Sequence, residues 1–136
     1  MTLTEEDLGV LRSMFDLARS GDTERLAEAV GAGIPVNLTN EAGDSLLMLA
    51  AYHDHPATVR ALLDRGADTA RVNDRGQTAL GAAVFRRSER GVAHLLAAGA
   101  DPALGPRSAL DIADFFDLPE MRALLRAGVR NGNGSG

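Results

Sequence analysis

Glycine recurs at Gly33, Gly66 and Gly99, a constant interval of 33 residues, and Gly43 and Gly76 repeat the same interval. Leu47 with Leu80, Ala50 with Ala83, Ser45 with Thr78, and the pairs Leu62-Leu63 and Leu95-Leu96 keep that register. Such a chain is confined to an array of like units. A 33-residue unit cannot bury its own apolar face, so stacked neighbours must make the core and the end units must act as caps. A further copy follows with Ser108, Leu110, Ala113, Leu124-Leu125 and Gly128, at contracted spacing. Upstream, Leu17-Ala18, Leu26, Val30 and Gly33 form a first copy without the earlier half of the unit.

Within each copy the local signals predict helix, short turn, helix, glycine and extended loop. Ser45, Thr78 and Ser108 are N-cap residues, opening short helices over 46–52 and 79–85 in the full copies. Asp22, His55, Ser88 and Asp117 form a second cap column, with Pro56 at a first helical position and Asp117 and Glu120 spaced as a capping box. Val59, Leu62, Leu63 and Val92, Leu95, Leu96 mark one buried face per second helix. Gly33, Gly66, Gly99 and Gly128 are placed where a left-handed residue closes that helix. Between copies, residues 40–43 and 73–76 predict tight turns at the tips of projecting fingers.

These features resemble the ankyrin repeat family. Gly43-Asp44-Ser45-Leu46-Leu47 and Gly76-Gln77-Thr78-Ala79-Leu80 match the opening of its unit, and Leu62-Leu63-Asp64-Arg65-Gly66-Ala67-Asp68 and Leu95-Leu96-Ala97-Ala98-Gly99-Ala100-Asp101 match its end. The resemblance covers residues 14–129 and implies an all-α solenoid of about four helix-turn-helix repeats with finger-like β-turn loops. On this reading residues 1–130 form one domain, with repeats at about 12–40, 41–73, 74–103 and 104–130. The family's Thr-Pro-Leu-His tetrapeptide stands here as Ser45-Leu46-Leu47-Met48, Thr78-Ala79-Leu80-Gly81 and Ser108-Ala109-Leu110-Asp111, without proline or histidine. The glycine between the two helices survives only as Gly21, with Asp54 and Arg87 in its place elsewhere and a deletion expected in the fourth copy. Looser turns are expected there. Thr4 with Asp7 predicts a capped acidic start to the first helix, Arg122, Arg126 and Arg130 a solvent-facing last helix, and residues 131–136 a disordered tail.

Composition narrows the function. The chain of 136 residues has no cysteine, which removes disulfide, thiolate-metal and cysteine-nucleophile chemistry. With 14 basic residues against 19 acidic ones, a formal charge of −5, nucleic acid is not an expected partner. No apolar run reaches membrane-spanning length and the first residues are acidic, so a cytoplasmic protein with no membrane contact is expected. All 14 basic residues are arginine, which fits the codon usage of a GC-rich bacterial genome. His53 and His55 offer two ligands without a third, and Asp111 and Asp114 a polar edge. Neither amounts to a catalytic or metal signature, so no enzyme, metal or cofactor is expected.

The resemblance implies instead a protein partner on the concave face. The two positions after the paired alanines look onto that face in ankyrin repeats, and here they hold Arg19-Ser20, Tyr52-His53, Phe85-Arg86 and Phe115-Phe116. Four of the five aromatic residues occupy those slots, and rings and arginines are the commonest interface anchors. Finger tips add Glu41, Asp44, Asp74, Arg75 and Gln77 as candidate contacts. Arg71, Arg75, Arg86, Arg87 and Arg90 form either a cationic strip or an ordinary surface neutralised by Asp64, Asp68, Asp74 and Glu89. A monomer is expected; the alternative is a self-associating structural protein that pairs through the same rings.

Overall fold

The computed structural model describes residues 2–134, which form eight helices in chain order: α1 Glu5–Ser20, α2 Thr23–Gly31, α3 Leu46–Tyr52, α4 Pro56–Leu63, α5 Ala79–Phe85, α6 Glu89–Ala97, α7 Ala109–Phe115 and α8 Pro119–Gly134. Consecutive helices pair as hairpins. The odd-numbered helices pack side by side in an inner row, α1 on α3 on α5 on α7, and the even-numbered ones in an outer row. Among the described residues there is no strand, only an isolated antiparallel bridge between Thr39 and Ser45 at the base of the first finger. None of these helices is long and apolar enough to cross a membrane.

Seven-residue helices do not persist alone in water, so α3, α5 and α7 depend on caps and packing. Each has its cap: the hydroxyls of Ser45, Thr78 and Ser108 accept from the backbone N–H groups of Met48, Gly81 and Asp111 at 3.0–3.1 Å. All three hydroxyl residues are buried. Between the rows, Leu26, Leu47, Leu62, Leu80, Leu95 and Leu125 are almost wholly enclosed, each contributing about 1.5–3 kcal/mol of apolar burial. Phe15 is the only ring buried among them. The paired small residues Ala50-Ala51 and Ala83-Val84 let the inner helices approach closely.

Four hairpin turns share one geometry, and this corrects two sequence expectations. Gly21, Asp54, Arg87 and Asp117 have φ of 75°, 60°, 56° and 50°, all left-handed. The N–H of the following residue, Asp22, His55, Ser88 or Leu118, then bonds the carbonyl of Leu17, Ala50, Ala83 or Ala113 at 2.8–3.0 Å. The turns without glycine are therefore not looser. Nor does the fourth copy lack the position: Asp117 occupies the left-handed column instead of the cap column, because the three-residue contraction lies upstream, in the third finger. The capping box expected between Asp117 and Glu120 is consequently not made, and Asp117 pairs with Arg122 at 2.7 Å.

The other predicted caps divide. Asp22 and Ser88 accept from Arg25 N–H and Gly91 N–H, whereas His55 makes no side-chain cap bond. Its ring bridges to the preceding repeat, with Nε2 2.8 Å from the Arg19 carbonyl oxygen. A Cβ on Gly21 would lie 2.5 Å from Nδ1 of that ring. Gly33, Gly66 and Gly99 are left-handed as expected, but Gly128 is helical, and a Cβ there would fall 2.7 Å from Leu96. The helix α8 continues past it. It runs through Asn131 to Gly134, beyond the expected start of a disordered tail, since an established helix adds a hydrogen bond with each residue. The rest of that tail, residues 135–136, lies outside the described residues.

At the other end α1 has 16 residues, more than twice the length of the other inner helices. Thr4 and Asp7 close a reciprocal capping box, and the Thr4 N–H and hydroxyl hold the Asp7 carboxyl below its ordinary pKa.

Candidate functional site

Side-by-side packing of α3, α5 and α7 aligns their C-terminal ends. Tyr52, Phe85 and Phe115 are the last helical residues, and His53, Arg86 and Phe116 the caps that follow. The rings meet across repeats. Tyr52 stacks on Phe85 with centroids 6.1 Å apart and planes 4° from parallel, and Phe85 meets Phe116 edge to face at 5.6 Å. His53 and Phe115 flank the ends, at 5.2 Å from Tyr52 and 4.9 Å from Phe116. Three helix ends, those of α3, α5 and α7, thus share one continuous aromatic band. It remains open to solvent: Tyr52, Phe85 and Phe116 are 40–45% exposed, and Phe115, at the end of the last inner helix described, is 82% exposed.

Beside the band, between the inner helices and the fingers, lies a concavity of about 320 Å³. Of the sequence-predicted residues it brings together Asp44, Tyr52, His53, Arg75, Gln77 and Phe85. Glu41, Asp74, Arg86, Phe115 and Phe116 do not line it. Glu41 and Asp74 stand exposed at finger tips, while Arg86 and the two phenylalanines continue the exposed row beyond it. The floor was not singled out in advance: Met48, Leu49, Gly81, Ala82 and Ile112, with Asn73, Thr78 and Arg19 at the edges. Arg19 belongs to the same repeat column as Tyr52. Gly81 stands where α3 carries Met48, and α7 and the third finger pack directly onto it: a Cβ there would lie 3.0 Å from Ile112 Cδ1 and 3.4 Å from the Arg107 carbonyl oxygen.

The fingers are tied to one another. Asn40 Oδ1 accepts from the N–H groups of Ala42 and Asp44, and Asn73 Oδ1 from those of Arg75 and Gln77. The buried Asn73 amide then donates to Asp44 Oδ1 at 2.7 Å and to Gln77 Oε1 at 2.9 Å, and Asp74 N–H bonds the Ala42 carbonyl. Asp44 and Gln77 are thereby partly committed to holding finger against finger. Pro106 of the shortened third finger packs over Gly76.

Charge at the site is cationic. Arg71 pairs with Asp68 and Arg19 with Asp16, but Arg75, Arg86, Arg87 and Arg90 make no ion pair among the described residues. His53 registers this field: its pKa is lowered, first by desolvation and then by His55, Arg19 and Arg86. His55 already uses Nε2 on the Arg19 carbonyl, and no cluster of three metal-ligating side chains occurs among the described residues. Asp114 lies 3.6 Å from Arg122, and Asp111 is exposed.

Stacked helical hairpins with linked fingers and an aromatic-edged concavity define a solenoid of the recognition type. The chain belongs to the ankyrin repeat family: residues 14–104 match the family described as ankyrin repeats (3 copies). An ankyrin repeat protein of Pseudomonas aeruginosa is 54% identical over 50 residues, 37% of this chain and 29% of that protein. An ankyrin repeat-containing protein of Treponema pallidum is 34% identical over 111 residues, 79% of this chain and 37% of the other. The human NAD-capped RNA hydrolase NUDT12 is 48% identical over 50 residues, which are 11% of its length. The chain thus spans well under half of each of these relatives. Among solved structures, the human ASB11 ankyrin repeat domain superposes with a TM-score of 0.72 at 28% identity, covering 87% of this chain and 53% of that one. Ankyrin repeats are in general protein–protein interaction modules without catalytic activity.

Proposed function

We propose that this chain is a non-catalytic, monomeric module of the cytoplasm that holds a protein partner on its concave face. The observation that supports this most is the aromatic band bordering the concavity. Large side chains left 40–45% exposed are costly to keep in water, and mutual stacking holds them in place before any partner arrives. Asp44, Tyr52, His53, Arg75, Gln77 and Phe85 make the first contacts, with Arg86, Phe115 and Phe116 extending them and Glu41 and Asp74 reached from the finger tips.

The test is affinity capture from native cell extract with wild-type protein and with the Tyr52→Ala/Phe85→Ala/Phe115→Ala variant. The variant should lose the captured partner while keeping its far-ultraviolet helical signal; undiminished capture refutes the assignment. The exposure of Phe115 favours one second reading, pairing of two copies through the open end of the band. Molar mass that rises with concentration and returns to a monomer in Phe115→Ala would establish it.

A further inference from the structure

The concave face carries a charge opposite to that of the whole chain. Net charge is −5, and residues 1–50 hold nine acids against three arginines. Yet the concavity is bordered by Arg75 and by Arg19, which pairs with Asp16, with Arg86 next along the aromatic row. Asp44, the only carboxylate among its described lining residues, already accepts from Asn73 and Asn40. Arg75 and Arg86 have no acidic partner in the described chain. The volume, about 320 Å³, is at the small end for a binding cavity and takes a few side chains, not a whole helix. Its floor is apolar, formed by Met48, Leu49, Ala82 and Ile112.

We propose that the groove binds an acidic peptide segment of a separate protein, with one apolar side chain seated on the apolar floor between Tyr52 and Phe85 and its carboxylates on Arg75 and Arg86. This rests on the concave-face reading above and adds to it the chemistry of the partner. Guanidinium groups suit carboxylates through paired hydrogen bonds, and the rings beside them exclude water from those bonds.

Selection from a random peptide library on the full chain, counter-selected against Tyr52→Ala/Phe85→Ala, tests this without assuming a partner. Ring-dependent peptides should be rich in Asp and Glu around one aliphatic residue. By fluorescence anisotropy, Arg75→Glu/Arg86→Glu should weaken them about tenfold or more, and raised salt should weaken them too. Replacing the peptide's aliphatic residue by serine should also weaken them severalfold. Ring-dependent peptides that are not acidic, or that tolerate the arginine reversals, overturn the charge assignment while leaving the concave site standing. Acidic peptides indifferent to the serine replacement overturn the anchor. No ring-dependent peptide at all overturns both this proposal and the reading beneath it. A single-stranded oligonucleotide bound more tightly than any selected peptide overturns the assignment to protein. Self-association abolished by the arginine reversals gives the groove to a second copy and overturns the separate partner.

Discussion

Replacing Arg87 by glycine should stabilise the protein. Arg87 has φ of 56°, in the region where a Cβ crowds the following carbonyl at a cost of about 1–2 kcal/mol. Glycine removes that crowding but loses about 0.5–1 kcal/mol more backbone entropy on folding, so the net gain is about 0.5–1 kcal/mol. Nothing else is lost, because the side chain is exposed and makes no ion pair among the described residues. Asp54→Gly should gain less, since aspartate tolerates the left-handed region better. Asp117→Gly should be close to neutral, because it also removes the 2.7 Å pair with Arg122, an exposed contact worth about 0.2–1 kcal/mol.

The reverse change identifies the cause. Gly21→Ala introduces the same crowding and sets a Cβ 2.5 Å from Nδ1 of His55, which must leave its bond to the Arg19 carbonyl. A cost of about 2–3 kcal/mol is expected. In a His55→Ala background the ring is gone, and Gly21→Ala should cost only the backbone part, about 1 kcal/mol. Urea titrations followed by circular dichroism measure all of these, and Arg87→Gly should raise the thermal midpoint by about 2–4 °C. If Arg87→Gly destabilises, or Gly21→Ala costs the same with and without His55, the account of the shared turn is wrong.

Two further outcomes follow from contacts between repeats. Thr58 is buried and its hydroxyl lies 2.7 Å from that of Thr23, so Thr58→Val should cost about 0.5–1.5 kcal/mol. Thr23→Val/Thr58→Val should then cost less than the sum of the single changes, measured in the same urea titrations. His53 has a folded pKa below the ordinary histidine value of about 6.5, so between those two values the unfolded chain binds more protons. Its contribution is therefore full above the ordinary value and is lost as pH falls through the lowered one. The difference in urea midpoint between His53→Gln and wild type should shift in favour of the variant on going from pH 8 to pH 5; a pH-independent difference refutes it.

The period made the two rows legible because each column position has one orientation in a stack. Ser45, Thr78 and Ser108 were therefore recognisable as caps, and Tyr52 and Phe85 as neighbours although 33 residues apart. What escaped was set by where the period breaks. Reading the fourth copy as one residue shorter again in its hairpin turn moved Asp117 into the wrong column, and only the shared hydrogen bond of the four turns locates it. Gly128 reads as a helix stop by residue type alone, yet it is a packing glycine against Leu96. His55 looked like a local cap because its bond partner, Arg19, is 36 residues away. The concave floor was hidden for a related reason: Gly81 is conspicuous only as a missing histidine, and what packs onto it, Ile112 and the Arg107 carbonyl, comes from the next repeat.

Stacking also explains why the site sits in the middle of the array. A groove floor needs an inner helix on each side and a finger above, and α3 and α5 are the pair flanked by inner neighbours, α1 and α7. The outer repeats serve other ends: α1 is lengthened by a capped acidic turn, and α8 runs on past the register of a repeat. Residues 1–50 hold nine of the 19 acids against three arginines, while Arg75 and Arg86 in the central units make no ion pair among the described residues. An array built of like units thereby acquires one position at which charge and rings coincide.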